Sequence, residues 1–138
     1  MHYIVLVLIA MVGYGVMATL LKLSMRTIPP ESAVFITNVM LVLIALAWGL
    51  HRGVRLLDSL ALDQPTLLLF LSGIVLSISV ICFYTALSRG PITVVLPLYG
   101  MNIAVATLLG VLVLGEPMTL PRASGLVMAG GAIFLLTR

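Results

Sequence analysis

The sequence predicts an all-α membrane protein, a bundle of five transmembrane helices with no soluble domain. Three observations carry that prediction. Apolar residues make up 62% of the 138 residues and charged residues 8%, whereas a soluble domain carries about 25% charge; a water-facing surface cannot be built from so few charges. Mean hydropathy is +1.31. The apolar residues also fall into runs close to the roughly 20 residues that a helix needs to cross about 30 Å of hydrocarbon. With the chain helical inside each run, every backbone amide and carbonyl in lipid is bonded within its own segment.

The first span covers residues 4–23. It begins directly after His2, with no basic leader region and no cleavage site, so it reads as a first helix rather than a signal peptide. Lys22 near its end has a stem long enough to snorkel to the headgroups. Arg26, Pro29, Pro30 and Glu31 form the hairpin that follows, the prolines stopping one helix and starting the next. The second span covers 32–50, with Trp48 at the depth of an aromatic belt. His51, Arg52, Arg55, Asp58 and Asp63 then make up the most polar loop, and Asp63-Gln64-Pro65 reads as a helix N-terminal cap.

The third span covers 66–87 and ends in Ser88-Arg89-Gly90-Pro91, where Gly90 stops the helix and Pro91 opens the next. The fourth covers 92–114. Pro97, one turn in, removes a backbone hydrogen bond and predicts a kink; Gly115 ends the helix and Glu116-Pro117 turns the chain. The fifth covers 120–137. Pro121 and Arg122 occupy its first turn, so its fully apolar part is only Ala123 to Leu136, short for a full crossing. A complete span is expected, a buried re-entrant helix being the alternative.

The charges mark helix ends. Five spans put the termini on opposite faces, with Arg52, Arg55 and Arg122 on one and Lys22, Arg26, Arg89 and Arg138 on the other. Three against four gives the positive-inside rule nothing to act on, which fits either chance or insertion in both orientations. No basic stripe or recognition motif points to nucleic acid. Cys82 is the single cysteine, so no disulfide forms within the chain. No metal-ligand spacing or nucleotide fingerprint is present, and His2 and His51 sit at a terminus and in a loop. No enzyme, cofactor or metal centre is expected.

No Asp or Glu falls in the middle of a span, which argues against a proton carried on a central acid. The polar residues at depth are neutral. Tyr99 and Asn102, three apart, share a face of span four. An unpaired amide is costly in lipid, so Asn102 either bonds across a helix interface or lines a cavity. Ala106 and Gly110 continue that face with small side chains, a stripe that allows helix packing or leaves room for a ligand, and Gly125 and Ala129 in span five read as a helix-packing face. Tyr14 lies between Gly13 and Gly15 in span one. Ser77, Ile81 and Tyr84 share a face of span three, extended by Ser88, and Thr37 and Asn38 are the polar pair of span two.

From the third span onward, a recognisable pattern runs through Phe83-Tyr84-Thr85-Ala86-Leu87-Ser88-Arg89-Gly90-Pro91, through Val94, Val95, Pro97, Leu98 and Asn102, through Leu112-Val113-Leu114-Gly115-Glu116-Pro117, and into the Gly-rich last helix. In these residues the chain resembles the EamA family of the drug/metabolite transporter superfamily. The likeness covers roughly residues 75–136; the first half fits by the number and length of its helices. The resemblance implies half of an inverted-repeat transporter, in which two five-helix domains of opposite orientation enclose a central cavity. The second domain would be an inverted copy of this chain or a paired homologous subunit. Tyr14, Tyr84, Tyr99 and Asn102 then become substrate-cavity candidates, joined by Asn38 and Ser77. The expected function is transport of a small neutral or zwitterionic solute, such as an amino acid, by alternating access in the cell (inner or plasma) membrane, with membrane lipid as the remaining partner. The small multidrug-resistance branch has four helices and an essential glutamate in the first; the corresponding region around Tyr14 has no carboxylate here, which weighs against proton-coupled export of cationic drugs. Two rival expectations stand: a flippase subunit for a lipid or lipid-linked sugar, and a structural or regulatory membrane protein that moves nothing.

Overall fold

A computed structural model of the chain describes residues 3–54 and 64–136. His2, Arg55, Asp58, Asp63 with its expected capping role, and Arg138 lie outside them. Among the described residues the regular structure is helical throughout: α1 Tyr3–Ser24, α2 Pro30–His51, α3 Gln64–Arg89, α4 Ile92–Gly100, α5 Asn102–Leu114 and α6 Leu120–Leu136. Tyr3–Ser24, Pro30–His51, Gln64–Arg89 and the combined Ile92–Leu114 have 22, 22, 26 and 23 residues and are long and apolar enough to cross a membrane. Leu120–Leu136 has 17, or about 25 Å of helix. The five expected spans are thus four of full length and one shorter.

The chain divides into two compact units, residues 1–88 and 89–138. In the first, α1 hands over to α2 through Pro29, extended at φ −65° and ψ 147°, with Pro30 as the first helical residue. Proline suits that place because its missing N–H would have had no helical partner there. At the other end of α2, Gly53 takes a left-handed φ of 68°. This lets the amides of Gly53 and Val54 return to the carbonyls of Leu50 and Gly49 at 3.0 and 3.1 Å. A side chain at position 53 would pay for that conformation.

Cross-helix bonds fix the directions of these three helices. Lys22, late in α1, reaches Leu87, late in α3, and Thr37, early in α2, meets Tyr84, late in α3. So α1 and α3 run the same way and α2 runs against both. The buried apolar residues Ala18, Leu21, Ala33, Tyr84 and Leu87 gather at that tied end. Most other large apolar side chains of the unit are exposed, which in lipid costs nothing, since acyl chains are as apolar as leucine.

In the second unit Pro91, extended at φ −68° and ψ 140°, leads into α4, and its carbonyl accepts the amides of Val94 and Val95. Pro97 lies inside α4, where it has no N–H to give the carbonyl of Thr93. The α-helical ladder then breaks one turn further on, at Met101, whose amide bonds Leu98 at 3.1 Å in a tighter turn. The expected single fourth helix is therefore two helices meeting at Met101. Gly115 ends α5 at φ 66°, and the amides of Gly115 and Glu116 both return to the carbonyl of Gly110. α6 packs against α4; a Cβ at Gly100 would lie 4.0 Å from Ile133 Cδ1.

Candidate functional site

Along one face of α2, Glu31, Val34, Phe35, Asn38 and Val42 recur at helical spacing, and Leu76, Ser77, Val80 and Ile81 recur on α3. Together they line a groove of about 540 Å³. It brings together two of the polar residues singled out from the sequence, Asn38 and Ser77, and adds Glu31, which lies in the first turn of α2. The spacing Glu31, Val34, Asn38, Val42 is itself a helical stripe, and that is the signal that ties Glu31 to Asn38.

The direction of the bonds decides what this groove offers a ligand. Ser77 Oγ donates to the carbonyl of Gly73 at 2.8 Å, and Asn38 Nδ2 donates to the carbonyl of Val34 at 2.8 Å. A serine has one proton, so Ser77 keeps only acceptor capacity. Asn38 keeps Oδ1 and one N–H. Glu31, the charged residue of the lining, accepts at both oxygens when ionised. The polar side of the groove is thus acceptor-rich and carries one negative charge, against an apolar remainder.

Tyr84 stands elsewhere. It is buried, and its hydroxyl lies 2.9 Å from Thr37 Oγ1. The Thr37 proton goes to Ala33 O at 2.8 Å, so the phenol donates to threonine. The pair ties α2 to α3. Tyr14 is 67% exposed on α1, and neither neighbouring glycine has another side chain within 4 Å of where its Cβ would be. Tyr99 and Asn102 belong to the second unit, both exposed, on either side of the Met101 break.

The second unit has its own groove of about 500 Å³ between α5 and α6. The four small residues Ala106, Gly110, Gly125 and Ala129 line it, with Glu116 and Arg122 also in its wall. The Glu116 side chain folds back over the helix, so that a Cβ at Gly110 would sit 3.6 Å from its Oε2. Arg122 Nη1 donates to the carbonyl of Pro117 at 3.1 Å, bracing the α5–α6 turn. Among the described residues no group of three or more His, Cys, Asp or Glu could hold a metal ion.

Four long apolar helices, apolar side chains turned outward along them, and polar groups bonded back to their own backbones define an integral, multi-pass membrane protein. The model of the EamA-like transporter family matches residues 1–138, so the chain belongs to that family and is a membrane transporter of the drug/metabolite type. The match treats the whole chain as one domain, extending over the first half, where the sequence resemblance rested on helix number and length. No match was found among curated proteins or solved structures.

Proposed function

We propose that the α2–α3 groove is this domain's share of a substrate cavity, and that the protein moves a small neutral or zwitterionic solute bearing an amine by alternating access. A second domain of the same kind, inverted in the membrane, covers the groove as an antiparallel partner. The observation that supports this reading is the acceptor-rich polar edge formed by Glu31, Asn38 and Ser77 beside an apolar wall. A protonated amine donates hydrogen bonds and balances the Glu31 charge; its apolar substituent lies along Val34, Val42, Leu76 and Ile81. Rocking of the two halves would expose the same groove to each side in turn.

Proteoliposomes test it. Uptake of radiolabelled zwitterionic amino acids is expected, and the double variant Asn38→Leu, Ser77→Ala should lower it at least about tenfold, equivalent to about 1.4 kcal/mol, with the thermal midpoint kept. Full transport by that variant counts against the groove. The mostly apolar lining also supports the flippase reading, in which an acyl chain takes the place of the apolar substituent. Scrambling of a fluorescent aminophospholipid, with no uptake of soluble amino acids, is the result expected of a flippase.

A further inference from the structure

A helix leaves its last four carbonyls without intrahelical partners. In α3 the problem is sharpened by sequence. Were the helix to run on, the Leu87 carbonyl would bond the amide of residue 91, but that residue is Pro91, which has none. Leu87 is also fully buried, at 0% exposure, so water does not reach it to serve as a substitute. An orphan carbonyl in such a place carries a desolvation cost.

The partner comes from another helix. Lys22 Nζ donates to Leu87 O at 2.6 Å and to Ser88 O at 3.4 Å. Lys22 is half-buried, and it follows Ala18 and Leu21, the two buried residues of α1, at helical spacing. The ammonium is therefore turned toward the C-terminal end of α3. A cation at a helix C-terminus also meets the negative end of the helix dipole.

We propose that Lys22 is the C-terminal cap of α3, supplying from α1 the donor that Pro91 withholds, and that it holds α1 and α3 in parallel register. It acts through α3, the helix that carries Ser77. The proposal is independent of any substrate, because it concerns bonds within the fold.

Lys22 is the sole lysine of the sequence, so uniform ¹⁵N-lysine labelling gives a single side-chain ammonium resonance. In the wild-type protein in micelles that resonance should be visible at neutral pH and room temperature, its protons exchanging with water at least about tenfold more slowly than in the SDS-unfolded chain. Lys22→Met should lower the thermal midpoint by about 5–10 °C. Lys22→Arg, which keeps charge and reach, should recover most of the loss. An ammonium that exchanges as fast in the fold as in the unfolded chain overturns the proposal, as does a Lys22→Met protein as stable as wild type. The resonance is read on the unaltered protein, so the test survives a variant that does not fold.

Discussion

Residues 1–88 and 89–138 are both helical and both apolar, yet they are held together by different means. The first unit ties long helices with polar bonds between distant residues, Lys22 to Leu87 and Tyr84 to Thr37, around a small buried cluster. In the second, the side-chain bonds of Arg122 and Ser124 stay local, to Pro117 and Pro121. Its α6 lies against α4, and α5 gives way to α6 after a left-handed glycine. In lipid the hydrophobic effect does not drive helices together, so polar bonds and close backbone approach are the two available means of attachment. The first unit uses the polar means, through Lys22 and through Tyr84 with Thr37.

The contrast can be broken by substitution. The largest effect is expected at Leu87, where Leu87→Ala should destabilise by about 2–5 kcal/mol. Leu112→Ala in the second unit, at a position 78% exposed, should cost under about 0.5 kcal/mol. Reversible unfolding in mixed micelles measures both, and equal costs would erase the distinction between a packed and an open unit. Next comes Gly115→Ala. Its surroundings are open, but φ of 66° makes the side chain cost about 1–2 kcal/mol. If the cost is near zero, the turn is not what fixes α5 against α6.

Tyr84→Phe removes one hydroxyl and keeps the ring, for an expected loss of about 0.5–1.5 kcal/mol. Thr37→Val should remove the same bond, and the double variant should lose less than the two single losses added together. Additive losses would show that the two groups are not coupled. The smallest effect is expected at Gly110→Ala. The new methyl would meet Glu116 Oε2 at 3.6 Å, an ordinary contact, so the cost should stay under about 0.5 kcal/mol. A larger one would reveal that another backbone comes close to this groove.

Helices are written plainly in this sequence because lipid imposes one rule, that long apolar runs close their own backbone bonds. The four full-length spans follow from composition and length alone. What sequence spacing cannot convey is partnership between helices. A lysine that snorkels to headgroups and one that caps a neighbouring helix share the same stem and the same place at a helix end; only the proximity of Leu87, 65 residues away, separates them. Thr37 and Tyr84, 47 residues apart, pose the same difficulty. The break at Met101 lacks a signal of its own, since methionine suits helices; Pro97 and Gly100 before it weaken the ladder without saying where it parts. In the site, Asn38 and Ser77 stood out as polar residues among apolar ones, while Glu31 looked like an ordinary charge at a helix start.

The 17 residues of α6 have one more consequence. Beside helices of 22 to 26 residues, the described part of α6 is the shortest apolar stretch to be matched to a bilayer. Short-chain lipids match it, whereas long-chain or sterol-stiffened membranes leave its ends drawn below the headgroups, at a modest cost for each ångström of mismatch. A series of bilayers of graded thickness is therefore expected to shift the stability of the region around α6 before that of the longer helices.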